Sequence, residues 1–346
     1  MKSDRPPSLD LVWNDNFRQA LCFDLWAEFD RIAYRDYPSL FPRGEQIRYK
    51  NESHQIVRWL EVAANQLNSP NLHLGLTSSD IEENARLLQI RASAIRIETL
   101  CDKVKDEILV NNDLRGPWIA RTHWRPAGIT GARHLAWMSL FREFDSPVLP
   151  KLPQGITGDN FETPPEVELI VKQMNWRELG FQGQPRAAYR QSTEQLVEIR
   201  FASWLAEIAA AVTKVCADVR FLCGSGELIT DEDVASSAAP DKRNPAGFET
   251  AQSIASTVPG AFLSVWQACA HDGLEGTLTR RWSLDHELAR TSIAIGNCLE
   301  RLVNCLPGLR RGEVGRNPIN TDYSAFRVTQ RVLDGERRDE AYNQER

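Results

Sequence analysis

Ala235-Ser236-Ser237-Ala238-Ala239-Pro240-Asp241-Lys242-Arg243-Asn244-Pro245 is the stretch on which the reading of this chain turns. It offers two hydroxyls, a cation and a carboxamide within reach of one small anion. Asn-Pro closes it directly before a long apolar-periodic run. Proline suits the first turn of a helix, where its missing N–H is not needed. The segment therefore sits at a helix mouth, where free N–H groups and the dipole favour negative charge. Read alone, the same residues also make an ordinary N-capping loop.

The surrounding sequence is dominated by helical periodicity. Leu205, Ile208, Val212, Val215, Val219 and Leu222 alternate spacings of three and four, as a bundle seam does. Ile97, Leu100, Val104 and Ile108 repeat the pattern, as do Leu284, Leu288, Ile295, Leu299, Leu302 and Leu306. Helices this long need partners along their length. Pro259-Gly260 should kink the run from Ala246 to Ala270. Strand signals are few, and Leu169-Ile170-Val171 lies in a helical pattern. The expected fold is all-α, a long-helix bundle. Its expected parts are an N-terminal helical domain over 1–112, a central bundle over 113–310 and a short C-terminal helical segment over 311–346.

Composition narrows the function. The chain has 346 residues, 42% hydrophobic and 25% charged, with a formal net charge of -6. That is a soluble globular profile, with length for more than one domain. No basic block marks a nucleic-acid or membrane partner. No apolar run approaches the roughly 20 residues of a membrane span. Met1-Lys-Ser-Asp-Arg-Pro-Pro lacks the apolar core of a secretory signal. The seven cysteines are scattered, without CxxC or zinc spacing. Buried thiols in a reducing cytoplasm are expected, and no metal or organic cofactor is implied.

Several polar motifs interrupt the helical pattern. His73-Leu-Gly-Leu-Thr77-Ser78-Ser79-Asp80 ends in residues that can cap the next helix. His123 lies in Arg121-Thr122-His123-Trp124-Arg125-Pro126-Ala127, placed at the start of another helix, and His54 precedes the helix through Val57 and Leu60. Taken singly, these histidines read as cap, loop and surface residues. Together, polar motifs at the ends of long helices can build a site between helices.

The set resembles the fumarase/aspartase superfamily, and within it the adenylosuccinate lyase branch. Ser236-Ser237-x-x-Pro240-x-Lys242-Arg243-Asn244-Pro245 resembles the family's mobile signature loop. Thr122-His123-x-x-Pro126-Ala127 resembles its Thr-His motif, and His73-x-Gly75-x-Thr77-Ser78-x-Asp80 the His-x-Gly-x-Thr-Ser-x-Asp motif. Thr277-x-x-x-Arg281 resembles the phosphate-binding element. Gln191 and His54 fall at family spacings. The resemblance runs, with gaps, from about Val12 to the tail.

Such a resemblance implies a lyase of purine biosynthesis that eliminates fumarate from a succinylated purine nucleotide. Ser236 is implied as base and His123 as acid, with Glu249 keeping that imidazole protonated. Lys242, Asn244 and Ser237 are implied to hold the substrate carboxylate. Thr77, Ser78, Thr122 and Gln191 bind substrate, with His54 and His73 lining the pocket. Thr277 and Arg281 grip the nucleotide phosphate. A homotetramer with composite sites is implied, and the seam through Leu205 and Val219 is expected to need such burial.

There are departures from the family pattern. Ala235 and Ala239 replace loop Gly and Met, Gln55 replaces the Asp of a His-Asp pair, and Gln195 and Asp272 fall at family arginines. The Gly-rich segment is reduced to Gly155-Ile156-Thr157-Gly158, and most of the C-terminal helical domain has no counterpart. Two alternatives stay open: a related lyase or cycloisomerase acting on another succinyl or dicarboxylate substrate, and a catalytically silent scaffold.

Overall fold

In the computed structural model the described residues are 7–41, 54–115, 117–121, 126–141, 165–181, 196–231, 244–271 and 278–312. Only the backbone is described at 117–121, 126–133 and 278–280. The expected all-α bundle is what the chain forms. Its helices are α1 (Leu9–Val12), α2 (Asp15–Asp36), α3 (Gln55–Leu67), α4 (Ser78–Val110), α5 (Arg133–Leu140), α6 (Pro165–Gln173), α7 (Leu196–Gly224), α8 (Ala246–Ala255), α9 (Val258–Ala270) and α10 (Leu278–Cys305). Two short antiparallel pairs join them: β1 (Pro117–Arg121) with β2 (Pro126–Ala132), and β3 (Leu228–Thr230) with β4 (Leu309–Arg311).

The apolar seams are buried as their spacing requires. Leu205, Ile208, Val212, Val215 and Val219 of α7 are each 0% exposed, as are Leu284, Leu288, Ile295, Leu299 and Leu302 of α10. The α7 seam is therefore covered within a single chain, and the expectation that it needs other subunits is corrected. The large apolar side chains that α7 leaves exposed are Leu196 and Phe221.

The chain divides into two units. The first takes residues 1–99, 144–209 and 256–296. Its core holds Trp26, Phe29 and Phe41, the two phenyl rings meeting edge-on at 5.9 Å. Trp176 and Phe181 meet in the same way at 5.4 Å. The second takes residues 100–143, 210–255 and 297–346. There Trp137 donates from Nε1 to Asp218 Oδ2 at 3.0 Å, so a buried indole has its polar atom satisfied.

Two local expectations are refined. The run from Ala246 does not kink at Pro259; it stops at Ala255, and α9 starts at Val258 with the proline in its first turn. There the absent N–H costs nothing. The Thr-His segment was placed at the start of a helix. Instead its flanks are the strands β1 and β2, paired from Pro117↔Ala132 to Arg121↔Pro126, and the helix begins only at Arg133. Pro126, Gly128 and Gly131 disfavour helix, and Ile119, Ile129 and Thr130 favour extended chain.

Candidate active site

The His73 motif forms a turn leading into α4. Gly75 takes φ 75°, the left-handed region that a side chain resists, and Leu76 N–H donates to the His73 carbonyl at 3.1 Å. Helix α4 starts at Ser78, which makes Thr77 its N-cap and Asp80 its third residue. Asp80 Oδ2 reaches back to accept the Thr77 N–H at 2.7 Å, the half of a capping box made by the third residue. Thr77 Oγ1 is buried and has no partner among the described residues.

Histidine 73 packs its ring edge-on against Trp26 at 6.2 Å, with Nδ1 buried and unpartnered among the described residues. Burial pushes its pKa down to about 4, because the imidazolium would lose water without gaining a counter-charge. His73 is therefore neutral near pH 7. His54 occupies the N-cap position of α3 without a side-chain cap, and its Nδ1 is also buried and unpartnered among the described residues.

Arg281, in the first turn of α10, meets the first turn of α4. Its Nη1 donates to Glu82 Oε2 at 2.8 Å and to Ser78 Oγ at 3.4 Å, and its Nη2 donates to Ser79 Oγ. The side chains of Arg281 and Glu82 are 15% and 14% exposed. The structure thus brings together two residues expected from sequence, Ser78 and Arg281, and adds two unforeseen ones, Ser79 and Glu82.

A second set of charges lies one turn deeper. Arg86, 0% exposed, donates from Nε to Asp285 Oδ1 at 2.6 Å and from Nη1 to Glu83 Oε1 at 3.0 Å, with Glu198 Oε1 at 3.9 Å. Arg18 Nη1 takes the other oxygen of Asp285 at 2.6 Å. Glu82 and Arg86 are four apart on α4, and Arg281 and Asp285 are four apart on α10. The two crosslinks therefore clamp the helices side by side in the same direction, with their N-terminal ends together. Two positive dipole ends lie there, next to the Thr77 hydroxyl.

The remaining expected residues are placed as follows. Asn244 lies just ahead of α8, its carbonyl accepting from Ala246 N–H at 2.8 Å. Glu249, in the first turn of α8, pairs with Arg220 Nε at 3.3 Å and is 42% exposed. Ser236, Ser237, Lys242, Thr122, His123, Gln191 and Thr277 lie outside the described residues, as do Gln195 and Asp272. Among the described residues no group of His, Cys, Asp and Glu is placed to hold a metal ion, and no helix is long and apolar enough to cross a membrane.

The chain is similar to known proteins in sequence and in fold. A family model described as lyase matches residues 57–260. The adenylosuccinate lyase of Caenorhabditis briggsae is 30% identical over 235 residues, 60% of this chain and 47% of that protein. That of Schistosoma mansoni is 25% identical over 264 residues, 70% of this chain and 54% of the relative. The chain therefore spans about half the length of the curated relatives it matches. A fumarate lyase from Mesorhizobium sp. BNC1 superposes with TM-score 0.71 at 16% identity, over 99% of this chain and 86% of that one. The 3-carboxy-cis,cis-muconate lactonizing enzyme of Pseudomonas putida gives 0.72 at 19% identity, over 97% and 83%. At such identities the likeness is one of fold.

Proposed function

This chain belongs to the lyase family of the fumarase/aspartase superfamily, and we propose that it eliminates fumarate from a succinylated purine. Adenylosuccinate is the reference compound for that reading. In the elimination Ser236, as alkoxide, takes the proton from the carbon beside the β-carboxylate. The electron pair forms the C=C bond, the C–N bond breaks, and His123 supplies the proton that the leaving nitrogen takes up. The products are fumarate and the free purine amine. Lys242, Asn244 and Ser237 stabilise the dianionic carboxylate that develops. Glu249 supports the imidazole, and Thr122 and Gln191 orient the substrate. His54, His73, Thr77 and Ser78 form the wall around the purine, and Thr277 and Arg281 meet its far end. A homotetramer with composite sites, in the cytoplasm, completes this reading.

The observation that carries it is the meeting of α4 and α10. There Arg281 donates to Ser78, next to a Thr77 hydroxyl without a partner among the described residues, and this cluster on residues that carry the family motifs supports the reading. The test is release of fumarate from adenylosuccinate by the purified chain, followed spectrophotometrically. Turnover abolished in Ser236→Ala and in His123→Ala supports the reading. Turnover surviving either substitution removes that residue's role. Fumarate released only from other succinyl compounds moves the reading to another substrate.

A further inference from the structure

Arg281 is the cation expected to grip a phosphate, yet its charge is already answered inside the chain. Both Nη atoms are engaged, one with the Glu82 carboxylate at 2.8 Å and with Ser78 at 3.4 Å, the other with Ser79. Arginine binds phosphate best by presenting two parallel N–H groups as a fork. Here those groups are taken, and Nε alone is unpartnered among the described residues. The neighbouring cations bring no relief, because Arg86 and Arg18 both close on Asp285, so the two helix ends alone remain to favour an anion against the Glu82 carboxylate.

A phosphate dianion arriving at Arg281 would share the guanidinium with a carboxylate that is only 14% exposed. Water screens such a pair poorly, so the repulsion is large. A hydroxyl brings no such conflict. Being neutral, it adds no charge beside the Glu82 carboxylate. The built-in carboxylate is thus a repulsive element of the kind that discriminates between ligands of similar shape.

We propose that Glu82 is a specificity-determining residue: by occupying Arg281 it selects a succinylated purine nucleoside, with hydroxyls at its far end, over the 5′-phosphorylated nucleotide. This rests on the elimination reading above and narrows its substrate class.

The test measures calorimetric binding of adenosine and of adenosine 5′-monophosphate to the full chain, in the wild type and in Glu82→Gln. In the wild type the monophosphate binds no more tightly than adenosine. In Glu82→Gln it binds more tightly than adenosine by about tenfold or more, as expected for a released guanidinium meeting a dianion. Glu82→Ala, which removes the side-chain acceptor altogether, gives the same reversal and guards against misfolding of the first variant. Tighter binding of the monophosphate by the wild type overturns the proposal, as does a ratio unmoved by either substitution or an absence of binding to any of the three proteins. A kinetic arm compares fumarate release from adenylosuccinate with release from its dephosphorylated nucleoside. Failure of both compounds removes the elimination reading and leaves the binding ratios to decide the role of Glu82.

Discussion

Replacing Arg86 by methionine should be among the most damaging single changes in the first unit. Arg86 is wholly buried and meets Asp285 at 2.6 Å, Glu83 at 3.0 Å and Glu198 at 3.9 Å. Glu83 and Glu198 have side chains only 1% exposed. Methionine fills the space but leaves these carboxylates without that guanidinium in a poorly hydrated interior. Removing one partner of a buried ion set costs about 3–5 kcal/mol. At about 2–4 °C per kcal/mol, the calorimetric transition should fall by roughly 6–20 °C. Asp285→Asn should cost less, because Asp285 is 29% exposed and Arg86 keeps Glu83. The aspartate also has a pH signature. Burial alone would raise its pKa, but the charges and hydrogen bonds of Arg86 and Arg18 outweigh burial and hold it below the ordinary 3.8. The unfolded chain then takes up the proton first as pH falls. The stability that Asp285 contributes is therefore full above its ordinary pKa and is lost as pH drops through the folded value. The gap between wild type and Asp285→Asn should be constant near neutrality and close in acid, measured by calorimetry at stepped pH. A loss under about 1 kcal/mol in Arg86→Met, or a gap that does not begin to narrow as pH falls below the ordinary carboxylate range, would refute the reasoning.

Burial also sets two other titrations. Cys22, Cys216 and Cys298 have pKa values pushed up to about 12, chiefly by burial. Native-state alkylation near pH 8 followed by mass spectrometry should leave these three unmodified, while the half-buried Cys223 and Cys305 react first. His73, pushed down to about 4 from 6.5, should show no change of ring charge by NMR near neutrality. Because its folded pKa lies below the unfolded one, the stability it contributes is full above about 6.5 and is lost as pH falls toward 4. A ring that titrates near 6.5 in the folded protein would contradict the buried placement against Trp26.

The helices were legible in the sequence because their seams repeat every three or four residues, and each seam residue on α7 and α10 named above is buried. Pro259 marked the place of an interruption but was read as a kink, whereas the helix ends at Ala255 and a new one begins at Val258 with the proline in its first turn. The strands β1 and β2 were not. Short runs beside Pro126 and Gly128 carry a weak extended preference, and a motif known for its histidine drew the reading toward helix. The α4 charges escaped for a deeper reason. Periodicity sorts polar residues outward, yet from Ser79 to Ile90 every residue except Glu82 is buried. A helix enclosed on all sides has no solvent face to receive Glu83 or Arg86. Their roles depend on Asp285, 199 residues further along than Arg86, and no local pattern encodes that meeting.

The same enclosure links stability to the candidate site. Arg281 and Asp285 share one face of α10, and Glu82 and Arg86 share one face of α4, so the crosslink through the fully buried Arg86 fixes the spacing at which the Arg281–Glu82 pair operates. A guanidinium on a three-methylene arm can reach many partners; it is the rigid pair below that holds Arg281 against Ser78, Ser79 and Glu82 rather than letting it swing to a ligand. Arg86→Met should therefore loosen the Arg281–Glu82 pair as well as lower stability. A site built on such crosslinked helices discriminates by charge already in place, because the carboxylate cannot move aside without strain on the packing beneath it.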